Sequence, residues 1–414
     1  MKKLYRAVSL ALAAAITVVF VGCQKEVTSQ NLMENVTANN VSQMTCTKAF
    51  AEVFTDFSLN LMKHMYSKDK NTVISPLALL NALMVSANGA NGQTQIEIQK
   101  LLGSKLTIDD INLFLHTYKE NLLNTDTANL YLENSLWFNS DNSFTPNSDF
   151  LQANANYYDA ALFKDSFSSE ALQNINNWMS NQTEENISFV MRELPKEAPL
   201  YLVNAAAMNA EWDKPYSYDQ VVDGEFTSAK GEKQKAQMMT SFDYMYLRNG
   251  MIEGFMKYYS GKNYALVVLH TLYSDYDQQA FIDSLSANTV RTLFDKKLNE
   301  VVQSTIPKFE CDFSGETSGI LKALGVETAF NSDSADFSKM GKSNQNIYID
   351  DIYAKAHIRV TEKGTKTGTA ASVSNSNDTA SQIHVVNVDG PFVYMVVDCK
   401  SYLPILIGAV NVME

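Results

Sequence analysis

Apolar positions recur along this chain in two periods, and the period switches from stretch to stretch. Phe50, Val53, Phe54, Phe57, Leu61, Met62 and Met65 repeat at helical spacing, which predicts an amphipathic helix over 47–66. Asn71 and a short apolar run then lead to Ser75 and Pro76. A hydroxyl cap followed by proline in the first turn is good N-terminal helix chemistry, so a second helix is expected from Pro76 on. Residues 130–138 alternate roughly and predict a strand. Residues 200–208 are apolar on both faces apart from Asn204, as in a strand inside a sheet covered on both sides. A buried amide there costs free energy unless it is bonded. Residues 264–269, 392–397 and 403–412 read as further buried strands, 281–299 as mostly helical, and 141–150 as turn-rich.

One window breaks this pattern. The 22 residues from Thr361 to Gln382 contain no Phe, Tyr, Trp, Leu, Ile or Met. Such a stretch inside a compact domain is functional or a linker. It nevertheless alternates. Thr365, Thr367, Thr369, Ala371 and Val373 share one parity, while Lys366, Gly368, Ala370 and Ser372 share the other. In an extended chain one parity lines one face. That face is small, uncharged and rich in β-branched residues, and the charge of Lys366 points the other way. The segment is patterned as a strand that enters a sheet without burying a charge. A flexible loop with scattered threonines is the plain alternative.

The start of the chain changes the picture of where it works. Lys2, Lys3 and Arg6 precede an apolar run over 10–21, which is short for crossing a bilayer and suits a signal peptide. Gly22 before Cys23 resembles a lipobox. The expectation is a signal peptide over 1–22, lipidation at Cys23, a polar tether over 23–46, and a domain over 47–414, exported and anchored to a membrane at the cell envelope or surface. A plain secretory peptide, or a short anchor, is the alternative. The net charge is −13, and losing the three basic residues of the leader makes it more negative still, which argues against nucleic acid as a partner. Without Cys23, three cysteines remain, Cys46, Cys311 and Cys399. They form neither a disulfide framework nor a zinc motif, so no metal or cofactor is expected.

Three short motifs point elsewhere. Ser67 with Lys70, then Ser140-Asp141-Asn142, then Lys366-Thr367-Gly368 match S-x-x-K, S-D-N and K-T-G in the order of a class A β-lactamase. That chemistry needs the serine at the head of a buried helix with its lysine one turn on. Ser67 instead sits in a polar stretch after a helix, and the gap from Ser140 to Lys366 is too long for that fold.

The window itself carries a stronger match. Glu362-Lys363-Gly364-Thr365, followed by small residues and then Gly390-Pro391-Phe392, resembles the reactive-centre-loop hinge of the serpins. That family consists mostly of suicide inhibitors of serine and cysteine proteases. Asn71, Ser75 and Pro76, the run from Gly89 to Thr94 with Glu97 and Ile98, and Ile175 with Trp178 resemble family patterns in order and spacing. So do Asn204 with Ala205 and Trp212, 226–239, Pro307-Lys308-Phe309 and 325–337. The resemblance implies an α+β fold, with a large mixed central sheet, two further sheets, surrounding helices and an exposed loop at about 361–390. It implies a hinge of Glu362, Lys363, Gly364, Thr365, Thr367, Thr369 and Ala371. It implies a shutter of Asn71, Ser75 and Asn204, and a breach of Trp212, Lys308 and Glu362, with Lys308 and Glu362 paired.

Two departures stand out. Ala354 occupies the place of the family's shutter histidine, with His357 nearby but facing the opposite way, and Thr367, Gly368 and Thr369 replace the usual alanines. Counting from the hinge puts the reactive bond at Asp378–Thr379, and counting back from Pro391 puts it at Ala380–Ser381. No Arg or Lys follows Lys366 within the loop, which argues against a trypsin-like target. The implied function is monomeric suicide inhibition of a serine or cysteine endopeptidase, with no catalytic residues of its own. A non-inhibitory serpin-fold surface lipoprotein acting as a binding module is the alternative.

Overall fold

The structure, a computed structural model, describes residues 24–413 except 104, 123, 189–190, 274–276 and 366–382. Cys23, Thr367, Thr369, Ala371, Asp378, Thr379, Ala380 and Ser381 therefore lie outside the described residues, as does the Lys366-Thr367-Gly368 motif.

In chain order, β1 (Gln30–Asn31) precedes α1 (Lys48–Met65), β2 (Thr72–Ile74), α2 (Pro76–Ala87), α3 (Gly92–Lys100) and α4 (Ile108–Asn121). Then come β3 (Ala128–Asn139), β4 (Thr145–Pro146), α5 (Ser148–Tyr158), β5 (Ala161–Asp165), α6 (Ser169–Gln182) and β6 (Leu200–Glu211). The middle of the chain holds β7 (Val221–Thr227), β8 (Lys233–Asp243), β9 (Met245–Asn249), β10 (Ile252–Tyr258), β11 (Tyr264–Thr271), α7 (Gln278–Ser284) and α8 (Ala287–Asp295). It closes with β12 (Val301–Pro307), β13 (Phe309–Glu316), α9 (Ser318–Ala323), β14 (Gly341–Lys342), β15 (Ile352–Thr361), β16 (Gly364–Thr365), β17 (Ile383–Asn387), β18 (Phe392–Asp398) and β19 (Pro404–Val410).

Local chemistry sets several of these elements. Thr47 and Ser75 cap α1 and α2, accepting from the Phe50 and Ala78 N–H groups at 3.2 Å each. Every residue of α2 is buried, as its uninterrupted apolar sequence demands. The stretch 281–299 is two short helices, parted at Leu285 and Ser286, where the hydroxyl of Ser286 caps the second. The turn-rich 141–150 runs into α5, which the sequence pattern did not announce.

The strands form a seven-stranded sheet in the order β1-β5-β3-β6-β16-β15-β13, a six-stranded sheet β2-β19-β18-β11-β10-β9, and a four-stranded sheet β17-β12-β8-β7, beside the small pair β14-β4. This is the expected mixed α+β architecture. The central strand β6 explains its own sequence. Leu200, Leu202, Ala206, Met208 and Ala210 face the main core, while Tyr201, Val203, Ala205 and Ala207 face a second core under Ile175, Trp178 and Met179 of α6. The six-stranded sheet lies close beneath. At Gly408 a Cβ would fall 1.9 Å from the Thr72 carbonyl oxygen, so glycine alone lets β2 pair there.

From residue 24 on, the polar stretch read as a tether is docked on the domain. Gln30 and Asn31 pair with Lys164 and Phe163 and extend the central sheet at its β5 edge. Ser29 donates to Asp165 at 2.5 Å, the Thr28 N–H donates to Asn174 at 3.2 Å, and the Met44 N–H donates to Thr117 at 2.8 Å. Its polarity serves side-chain bonding to the body in place of solvation. The β-lactamase motif also fails on structure: Ser67 follows the end of α1, and Ser140–Asn142 is a single 3-10 turn, so neither serine heads a buried helix.

Candidate functional site: the hinge between β6 and β15

β6 and β15 run parallel and touch directly from Leu202 with Ile352 to Ala207 with His357. Beyond that point they part. The chain leaves β15 at Thr361, turns through Glu362 and Lys363, and comes back as β16 between the two strands. Gly364 lies opposite Thr361 and Glu211, and Thr365 opposite Val360 and Ala210. The start of the hinge is thus already a strand of the central sheet. Thr365 is 1% exposed, and its hydroxyl lies 2.7 Å from the Tyr259 hydroxyl, on the face turned to the six-stranded sheet. Glycine is required just before it. Gly364 has a φ of 143°, and a Cβ would lie 2.0 Å from the Ala210 carbonyl oxygen.

A clamp holds this turn. The Trp212 N–H donates to the Lys363 carbonyl at 3.0 Å, and the Tyr216 N–H to that of Glu362 at 2.9 Å. The Trp212 indole N–H donates to the Thr361 carbonyl at 2.8 Å, and the indole stacks on Tyr259 at 4.5 Å. Lys308 closes the outer side. It is the single residue between β12 of the four-stranded sheet and β13 of the central one, and its Nζ lies 2.8 Å from Glu362 Oε2. That hydrogen bond holds the Glu362 carboxyl below its ordinary value of 4.5. The expected breach of Trp212, Lys308 and Glu362 is therefore brought together. A cleft of about 760 Å³, lined in part by Glu310, Arg359 and Lys363, opens beside it.

The shutter residues are not brought together. Asn71 clamps the C-terminal end, accepting from the Asn411 and Val412 N–H groups at 2.8 and 3.1 Å. Ser75 donates to the Ile405 carbonyl at 2.8 Å. Asn204 is buried in β6 with its side-chain Nδ2 unpartnered, opposite Asn134, whose Oδ1 is also buried and unpartnered. On the other side Asn204 meets Ala354, which has nothing to offer it. His357 faces the opposite side of the sheet, with Nδ1 3.4 Å from Asp312 of β13.

Past the undescribed loop residues, β17 pairs in parallel with β12. The loop is thus strung between the central sheet and the four-stranded sheet. A family model described as Serpin (serine protease inhibitor) matches residues 52–413.

The chain belongs to the serpin family.

Among solved structures, this serpin superposes on the native state of Tengpin, a thermophilic serpin, with a TM-score of 0.89 and 34% identity, covering 93% of this chain and 100% of that one. The latent state of Tengpin gives 0.79 at 32% identity, covering 90% and 100%. Among curated relatives, the leukocyte elastase inhibitor of Xenopus laevis is 26% identical, covering 83% of this chain and 93% of its own length.

Sequence reasoning missed Tyr259 and Tyr216 of this serpin. Tyr259 stands 106 positions from the threonine it bonds, and no local pattern links the two. The tyrosine pair at 258–259 ends a strand of ordinary appearance. Tyr216 acts through its backbone, which no side-chain pattern reveals.

Proposed function

We propose that this serpin is a suicide inhibitor of a serine or cysteine endopeptidase, exported and held at the cell envelope through a lipidated Cys23. The observation that carries the reading is β16. Two residues of the hinge already occupy the slot that a cleaved loop would fill. Where β6 and β15 touch directly, Asn204 faces Ala354; where β16 separates them, Ala210 and Val360 both face Thr365. The two strands keep the same offset in both places, so a loop following Thr365 meets no register slip. Continued in that register, Thr367 falls between Met208 and Ile358, Thr369 between Ala206 and Ala356, and Ala371 between Asn204 and Ala354. All lie on the face Thr365 already occupies. Lys366 falls beside Arg359 on the other face, where the charges of β13 and β15 are solvated.

The protease attacks the loop as a substrate and forms an acyl-enzyme. The freed N-terminal side then inserts, each ladder hydrogen bond adding about 1 kcal/mol net. The uncleaved form is kinetically trapped. We place the reactive bond at Asp378–Thr379, because insertion is counted from the hinge, with Ala380–Ser381 as the second position. The second suits an elastase-like or subtilisin-like enzyme with a small or permissive pocket; the Xenopus relative is, by its name, an inhibitor of leukocyte elastase.

Loop cleavage followed by a thermal melt tests the reading. The expected result is a sharp rise in Tm after a single cut between Ser372 and Gln382; a cut chain with unchanged Tm would make this a binding module instead. Mass spectrometry of the peptide released from a trapped complex identifies the bond, Thr379 or Ser381 as the first residue. For the anchor, Cys23→Ser should move the protein from the membrane to the soluble fraction, and an unmoved variant would remove the lipid from the reading.

A further inference from the structure

A buried charge lies beneath the hinge, and insertion as described above does not use it. Lys257 of β10 is 1% exposed, and Asp243 at the end of β8 is 8% exposed. The Lys257 Nζ lies 3.2 Å from Asp243 Oδ1 and donates to Ser241 at 3.1 Å. Ser241 and Ser304 in turn donate to Asp243 Oδ2 at 2.8 and 2.7 Å. A buried ion pair is a poor source of stability, because the cost of desolvating both charges offsets their attraction, and an apolar pair of similar volume would fold as well. The position asks for another reason.

The rest of the ammonium's surroundings supplies one. Its Nζ lies 4.2 Å from the centroid of the Tyr216 ring and 5.5 Å from that of Trp212. These are the two residues whose N–H groups hold the carbonyls of Thr361, Glu362 and Lys363. A desolvated cation attracts ring faces strongly. The anion is fixed from the other side of the loop. Ser304 lies on β12 in register with Val386 of β17, the strand that receives the loop's distal end. One network of hydrogen bonds and ring contacts thus runs from the distal anchor of the loop to its hinge.

We propose that Lys257 is a positioning residue for the hinge. Its ammonium, fixed by Asp243, seats the Tyr216 and Trp212 rings so that their N–H groups keep the turn in place and β16 inside the sheet. With the seed in place, insertion starts as soon as the loop is cut. With the seed withdrawn, water hydrolyses the acyl-enzyme first, and the protease leaves intact with the loop cleaved. This consequence rests on the proposed inhibitory mechanism, whereas the hold on the hinge does not.

The test uses Lys257→Met combined with Asp243→Asn, so that no buried charge is left unpaired, and each single variant beside it. Amide hydrogen exchange of the folded, uncleaved chain reads the hinge directly. The double variant should exchange at Gly364 and Thr365 about tenfold faster than the parent, the loss of a desolvated cation–π contact. The directly paired amides of 352–357 should be unchanged. Equal protection at Gly364 and Thr365, or a uniform loss across β15, overturns the proposal and leaves Lys257 a structural residue. With a protease that the parent traps, the double variant should need more inhibitor per enzyme at an unchanged association rate. A parent that traps no protease, with the exchange response present, defeats the inhibitory reading and leaves the clamp standing. A parent that traps protease, with the exchange response absent, does the reverse.

Discussion

Thr365 is where sequence parity and tertiary contact meet. Its slot is closed on three sides, by Ala210, Val360 and the Tyr259 hydroxyl, and it is 1% exposed. An arginine there has no partner, and an unpaired buried charge costs well over the roughly 1.4 kcal/mol that a tenfold change requires. β16 is held by few ladder bonds, so it yields before the rest of the sheet does. Thr365→Arg should therefore keep the fold, shown by near-parental circular dichroism, and lose covalent complex in favour of cleaved inhibitor by about tenfold or more. Parental complex yield would refute the insertion mechanism for this chain. Asn204 makes the opposite case. Its Nδ2 has no partner and Ala354 supplies none, so truncation removes an unpaid polar burial. Asn204→Ala should change stability by less than about 1 kcal/mol in denaturant melts, whereas Ser75→Ala, which breaks the bond to Ile405, should cost about 1–2 kcal/mol. If the Asn204 variant is the more damaging, a partner bridges it to Asn134 in solution.

Among the elements, the short β1 is the one whose role runs against its composition. It covers the outer edge of β5, and Asn174 of α6 donates to Ser29 at 2.9 Å and accepts from the Thr28 N–H. Removing it exposes an edge strand and leaves the Asn174 amide nitrogen bonded to Asp165 alone, at 3.1 Å. A chain starting at Leu32 should be less stable than one starting at Gln24 by about 1–3 kcal/mol. Its β5 amides should exchange faster, while the hinge amides at 364–365 stay protected. Identical melts for the two would mean that the docked segment contributes nothing.

At the scale of the whole molecule, Lys308 and Glu362 span the junction of two sheets and stand where the central sheet opens. Glu362 titrates below its ordinary value of 4.5 because Lys308 bonds its charged form. A depressed carboxyl pKa stabilises above the unfolded value and ceases to as pH falls through the folded one. The contribution is therefore complete above 4.5 and fades below it. Acidification through that window should promote sheet opening and polymers on mild heating, read on native gels. Glu362→Gln should polymerise at neutral pH as the parent does in acid, and Glu362→Lys more so. A parent and a Glu362→Gln variant with the same gel pattern at neutral pH would show that the pair does not guard the sheet.

What the sequence determined by itself was everything that depends on neighbours a few positions apart. The cap at Ser75, the two-faced apolar β6 and the parity of the 361–382 window are local patterns, legible because helix and strand periods are local. The resemblance carried the pairing of Lys308 with Glu362 and the place of Trp212 as well. Tertiary structure alone decided what lies across the sheet. It docked the polar segment from residue 24 on, because β5 leaves an edge that a strand of any polarity can pair through its backbone. It left Asn204 unpartnered, because the residue beside it is Ala354, 150 positions along the chain. It set β16 in the sheet before any cut, and placed Tyr259 and Lys257 beneath the hinge. Those contacts join residues far apart in the chain, 41 positions between Tyr216 and Lys257 and 106 between Tyr259 and Thr365, and no period in the chain encodes which strand will lie beside which.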